Sequence, residues 1–276
     1  RTALAEAEVE YGPHTSPSIF VKFPAVSDLS ERYPSLKGKN VSFVIWTTTP
    51  WTIPANLAVA LHPDLDYVAV DVGGNEVLIL AEGLTAVCMD TFGITGYKVL
   101  EELRAPDLEN LKARHPLYDR DSLVVLAPYV TLEAGTGCVH TAPGHGREDY
   151  ETGLKYGLEI YSPLDDAGRF TEEAAPFTGM NVFDANPEVN RHLREAGALL
   201  KEEKITHDYP HCWRCKRPVI FRSTEQWFIS MSRNDLREKA LGAIRRGRKI
   251  AIPTVPWRPS AGCAGSPPGA RSGSSA

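Results

Sequence analysis

The chain has 276 residues, 42% hydrophobic and 24% charged, with a formal net charge of −5. Such a length can bury a large core, and such a composition is ordinary for a globular protein of one large domain and a smaller appendage. No apolar run approaches the ~20 residues of a membrane helix, so no membrane partner is expected. The N-terminus, Arg1-Thr-Ala-Leu-Ala, lacks the apolar core of a signal peptide.

The chain opens without methionine, and the expectation is a segment cut from a longer one. The five cysteines are odd in number and mostly scattered, which fits a reducing cytoplasm rather than a disulfide framework. Charge is uneven: residues 1–200 carry 15 Lys and Arg against 29 Asp and Glu, and residues 201–250 carry 13 against 6. The basic stretch reads either as a solvated helix face or as a flank for phosphates.

In chain order, residues 18–22 and 41–46 are rich in β-branched and aromatic types and predict strands. Residues 67–72 and 76–81 predict a hairpin around Gly73-Gly-Asn. A short helix follows from Leu84 to Phe92, ended by Gly93, with further strands at 97–103, 123–127 and 136–141. The spacing of Tyr150, Leu154 and Tyr156 predicts a helix over 146–156 with Gly157 past its end. Asn186 and Pro187 predict the cap and first position of a helix over 187–196, and Leu236, Ala240 and Ile244 share a face of another over 234–246. Many short strands with a few helices predict a mixed α/β but mainly β fold, a β-barrel-like domain decorated by short helices. From residue 251 the chain turns rich in Pro, Gly and Ser, and disorder is expected.

Two segments carry the chemistry. In Trp46-Thr-Thr-Thr-Pro-Trp-Thr-Ile-Pro-Ala-Asn56 a run of hydroxyls is pinned by prolines. Thr47, Thr48 and Thr49 alternate faces in an extended chain, so they share a pocket only if the backbone turns. The plain alternative is a threonine-rich strand end. In Gly135-Thr-Gly-Cys-Val-His-Thr-Ala-Pro-Gly-His-Gly-Arg-Glu-Asp-Tyr150, Asp149 falls near a helix start. There it either serves the helix dipole or faces a ligand ammonium, and His140 is a strand-end histidine or a pocket wall. Neither segment holds a standard covalent nucleophile, so the chemistry expected is hydrolysis by a positioned water. Cys212-Trp-Arg-Cys215 is half of a metal pattern that His207 and His211 could complete, or a redox pair.

These motifs, with Pro210-His-Cys-Trp-Arg-Cys-Lys-Arg-Pro-Val-Ile-Phe-Arg-Ser-Thr-Glu-Gln-Trp-Phe-Ile-Ser230, closely resemble isoleucyl-tRNA synthetase, specifically its inserted editing domain. The resemblance covers about residues 1–250. It implies a remnant of an upstream synthetase segment at 1–14, the editing domain at 15–205 and a return segment at 206–250. The tail 251–276 departs from the family and receives no function. The family's ATP motifs of the HIGH and KMSKS types are absent, so no isoleucine activation is expected.

The resemblance implies post-transfer editing, the hydrolysis of valyl-tRNA(Ile) with isoleucyl-tRNA(Ile) spared. As catalytic residues, Thr47, Thr48 and Thr49 would contact the terminal adenosine and the ester and help place the attacking water. His140, also catalytic, would wall the side-chain pocket, with a general-base role left open. Asp149 would bind the substrate ammonium. Asn56 would hold substrate or water, Trp51 and Thr52 would shape the pocket, and Gly144 and His145 would complete the substrate side. The partners implied are the tRNA acceptor end with its misattached valine and the rest of the synthetase. No cofactor is implied for editing. Cys212 and Cys215 become half of a four-cysteine zinc site of the full-length protein. A non-catalytic tRNA-binding fragment and a zinc-binding structural module are the alternatives from other classes.

Overall fold

Runs of β-branched and aromatic residues assemble into two sheets in this computed structural model, which describes residues 4–225, 227 and 229–246. Contacts divide the chain into a unit ending at Thr224 and a second beginning at Glu225. The disorder expected of 251–276 lies outside the described residues.

The strands are β1 (Val9–Pro24), β2 (Asn40–Thr47), β3 (Ala58–Leu61), β4 (Asp66–Gly73), β5 (Glu76–Ala81), β6 (Lys98–Arg104), β7 (Lys112–Arg114), β8 (Asp121–Leu126), β9 (Cys138–Thr141) and β10 (Leu199–Cys212). The helices are α1 (Thr85–Phe92), α2 (Ala105–Leu108), α3 (Arg147–Tyr156), α4 (Val182–Glu195) and, in the second unit, α5 (Leu236–Arg245). One sheet runs β10-β1-β2-β5-β4-β6 and the other β7-β8-β3-β9. The mainly β, helix-decorated architecture is as expected. The barrel is not: each sheet ends in edge strands, and no closed ring forms among the described residues.

The predicted strands appear within a few residues of their expected bounds, and so does the hairpin of β4 and β5, except that β1 starts at Val9, nine residues before the expected 18. Gly93 and Gly157 end α1 and α3 in the left-handed conformation, as read from the sequence. α4 differs. Its cap is Asn181, whose side chain accepts the Phe183 N–H at 3.1 Å, and Pro187 lies inside the helix. Val182, Ala185, Val189 and Leu193 are buried along one face. Burying that stripe starts the helix a turn before the Asn-Pro pair that resembled its cap.

Three strands gave no sequence signal: β3, β7 and β10. β3 is only four residues and wholly buried. β10 is polar and mostly unburied, yet it pairs with β1 from Val9↔Cys212 to Val21↔Leu199. β2 joins β1 only from Ile19 to Pro24, so the first half of β1 and its partner form a two-stranded ribbon. Such a ribbon has little apolar area to hold it. Cross-strand side chains contribute instead: the Thr15 and Thr206 hydroxyls meet at 3.0 Å, and the His14 and Tyr209 rings lie 5.0 Å apart. This ladder runs unbroken across residues 14–15 and 205–206.

Phe23, Phe43, Ile45, Leu78 and Leu80 fill the core. Tyr67, also fully buried, ties the sheets together: its hydroxyl accepts the His62 N–H at 2.9 Å and donates to the Gly137 carbonyl at 2.7 Å. Tyr67→Phe strands both groups and is expected to cost about 1–3 kcal/mol, read as a lowered denaturation midpoint with an unchanged slope.

Candidate active site

The threonine run begins as strand and ends as turn. Thr47 is the last residue of β2, and its hydroxyl accepts the Thr49 N–H at 3.1 Å. That local bond offers the backbone an alternative to the ladder and bends it out of the sheet. Pro50 then starts a 3-10 turn, Pro50–Ala55, whose residues are all buried. The Thr49 carbonyl accepts both the Thr52 N–H at 3.0 Å and the Thr52 hydroxyl at 2.8 Å. Thr48 and Thr49 stay half-buried, the two most accessible hydroxyls of the run.

His140 sits on β9 opposite Val59 of β3 and is buried. Both its ring nitrogens are engaged. The Ser122 hydroxyl donates to Asn56 Oδ1 at 2.6 Å, and Asn56 Nδ2 donates to the Ala58 carbonyl at 2.8 Å, which fixes the orientation of that amide. Asn56 Nδ2 therefore also faces His140 Nδ1 at 3.4 Å as a donor. Nε2 carries the proton and donates to Thr52 Oγ1 at 2.8 Å, whose own hydrogen goes to Thr49. Burial lowers the His140 pKa to about 4, with His145 adding to the effect. The imidazole is neutral at neutral pH and fixed as one tautomer.

Asp149 lies in the first turn of α3. One carboxylate oxygen accepts the Ala142 N–H at 2.8 Å and ties the helix back to the glycine loop. Burial pushes its pKa up to about 6, and the Ala142 N–H opposes that shift while Glu148 adds to it. None of the ion pairs among the described residues includes Asp149. A half-buried, desolvated carboxylate without a cation costs free energy, and a ligand ammonium would relieve it.

Gly144 and His145 are buried in the loop between them. A Cβ on Gly144 would fall 2.3 Å from the Tyr161 carbonyl oxygen, so only glycine fits that packing. The His145 ring stands edge-on to Trp51 at 5.1 Å, and Nδ1 donates to the Phe221 carbonyl at 3.0 Å. Trp51 and His145 are therefore packed walls. Asn56 has no exposed surface, and its amide is spent on Ser122, Ala58 and His140. It supports the histidine rather than reaching a ligand.

Residues 105–192 match the family described as Leucyl-tRNA synthetase, editing domain. Over 243 residues, 88% of this chain, the sequence is 59% identical to the isoleucine–tRNA ligase of Syntrophotalea carbinolica, and over 245 residues, 89% of this chain, it is 61% identical to that of Geobacter sulfurreducens. The chain belongs to the isoleucyl-tRNA synthetase family. It spans about a quarter, 26%, of the length of these two relatives and carries the editing domain. The fold is that of the editing domain of the P. falciparum cytosolic leucyl-tRNA synthetase. There the TM-score is 0.54 at 12% identity, covering 67% of this chain and 99% of the other.

In this synthetase segment the remaining motif, Cys212 and Cys215, lies where β10 turns back. Both thiols are free, and N–H groups of Cys215 and Arg214 lower the Cys212 pKa. That arrangement suits a thiolate knuckle. His207 and His211 do not complete it: their imidazoles engage Ser16 Oγ and the Tyr209 carbonyl, and no group of three possible ligands occurs among the described residues. Sequence reasoning also missed Ser122, His115, Arg120 and Asn186, which support the site from other elements. The first three carry no local signal, and the fourth carried a misleading one.

Proposed function

We propose that this chain hydrolyses valine misattached to tRNA(Ile) and spares isoleucyl-tRNA(Ile), the post-transfer editing step of isoleucyl-tRNA synthesis. The observation that carries this reading is Asp149, a half-buried carboxylate of α3 with no cation partner among the described residues, joined by the glycine loop to β9 and its neutral, fully bonded His140. The carboxylate binds the substrate ammonium through a charge-assisted hydrogen bond. His140 closes the side-chain pocket. Thr48 and Thr49, with Thr47 fixing their turn, receive the terminal adenosine and the ester, while Trp51, Thr52, Gly144 and His145 shape the walls.

A pocket that binds isoleucine rejects valine weakly. A missing methylene is worth only ~1–3 kcal/mol, and isoleucine against valine in this enzyme family is the reference case for that range. A second, smaller site that admits only valine supplies the rest. An aminoacyl ester is already activated, so orienting water against it suffices. His140 is not the general base, because both ring nitrogens are committed and its pKa is about 4.

No helix among the described residues is long and apolar enough to cross a membrane. The setting we assign is the cytoplasm, with the tRNA acceptor end and the rest of the synthetase as partners. Editing itself uses no cofactor. In the full-length protein Cys212 and Cys215 hold one half of a zinc site of purely structural use. The test is release of valine from valyl-tRNA(Ile) by the purified chain, before and after dialysis against a chelator. Equal release in both supports the reading. Salt-sensitive binding without release would leave a tRNA-binding fragment, and loss of release with the metal would assign zinc a direct part.

A further inference from the structure

The threonine turn is held from behind by side chains of other elements. Asn186, in the second turn of α4, accepts the Trp51 N–H at Oδ1 over 2.9 Å. His115, between β7 and β8, donates from Nε2 to the Ile53 carbonyl at 2.9 Å. The Arg120 guanidinium donates to the Pro54 carbonyl. A 3-10 run of six residues exceeds the three or four that such turns usually sustain. Pro50 has no N–H and the Thr52 N–H reaches the Thr49 carbonyl, so the Trp51 N–H is the orphan of the first turn, and it finds its partner in Asn186.

These side chains are themselves fixed. His115 Nδ1 accepts the N–H groups of Leu117 at 3.0 Å and Tyr118 at 3.2 Å, which leaves the proton on Nε2 to face Ile53. Burial lowers its pKa to about 3, with Arg120 adding, so the ring stays neutral. The Arg120 guanidinium lies 5.1 Å from the Tyr118 ring centre and 5.2 Å from that of Tyr161. A support of this kind sets geometry through the groups it holds.

We propose that Asn186, His115 and Arg120 are positioning residues of the editing site: by holding the Trp51 N–H and the Ile53 and Pro54 carbonyls they fix the turn that places Thr47, Thr48 and Thr49 and, through Thr52, His140. This rests on the editing reading above. None of them touches substrate. They act on rate through placement, where a displacement of ~1 Å costs about 10²-fold.

The test uses the full-length ligase and two matched pairs of variants, each pair keeping or removing one hydrogen bond. Asn186→Asp keeps the acceptor for Trp51, and Asn186→Leu removes it. His115→Gln keeps a donor towards Ile53, whereas His115→Asn keeps only the local acceptor for Leu117 and Tyr118. In valyl-tRNA deacylation, Asn186→Leu and His115→Asn are expected to lower kcat about tenfold or more while KM moves less than about threefold, with Asp and Gln close to the parent. Equal kcat within each pair overturns the proposal. So does a loss of activity that follows thermal stability instead of the retained bond, which would make the supports structural only. An unsubstituted ligase that releases no valine would overturn the editing reading itself, before any variant is compared.

Discussion

Asp149→Asn is expected to lose valine release and gain stability at the same time. The amide keeps an oxygen for the Ala142 N–H, so the helix stays tied to its loop. What disappears is the charge that meets the substrate ammonium. Hydrogen bonds to charged groups contribute about 1.5–3 kcal/mol, so kcat/KM should fall about 10- to 100-fold, mostly through KM.

The stability gain follows from linkage. The folded carboxyl has its pKa raised to about 6 from an ordinary 3.8. Below both values folded and unfolded forms are equally protonated, and the group is neutral in its effect. As pH rises between them the unfolded chain ionises first, so the folded state loses up to ~3 kcal/mol, a cost that persists at pH 7. The asparagine variant lacks that cost. Thermal melts at about pH 3 and pH 7 would show it: the variant should gain at pH 7 and match the parent near pH 3, below both values. For activity the sign is the reverse. Ammonium binding needs the carboxylate, so kcat/KM of the parent should fall as pH drops through about 6. A flat acid limb would remove Asp149 from the site.

His140→Ala tests the sieve. The substitution opens space beside Thr52 and Asn56 and leaves the Thr52 hydroxyl and one Asn56 donor without their ring partner. Loss of a packed side chain together with buried bonds costs about 2–4 kcal/mol. If the ring is a wall, valine is still released and isoleucyl-tRNA becomes a substrate, with discrimination falling by an order of magnitude or more, the worth of one methylene. If the ring is instead a general base, valine release itself drops by 10² or more. The committed nitrogens and low pKa predict the first outcome.

Where local chemistry decides the conformation, the sequence was readable. The Gly73-Gly-Asn hairpin, the glycine ends of α1 and α3, and the two motifs that form the site all follow from short-range patterns. Where distant packing decides, it was not. Asn186-Pro187 has the pattern of a helix start, but four apolar residues on one face of α4 bury the preceding turn too and release Asn186 to bind Trp51. β10 carries no alternation because its ribbon half has no core to face, and only pairing with β1 makes it a strand. Asn56 and His145 read as ligand contacts because they are polar and lie inside the motifs. The Asn56 amide is spent on Ser122, Ala58 and His140, and His145 Nδ1 on the Phe221 carbonyl, partners that no local spacing reveals. The expected barrel was inferred from strand number, but whether a sheet closes depends on edge pairing.

The proposed site hydrolyses valyl-tRNA(Ile) and spares isoleucyl-tRNA(Ile). Its most direct test is to follow both substrates side by side with the purified chain, in one buffer at pH 7.5, roughly a unit and a half above the folded Asp149 pKa of about 6. Valine is expected to be lost rapidly while isoleucine is retained. Equal loss of both, or loss of neither, would contradict it.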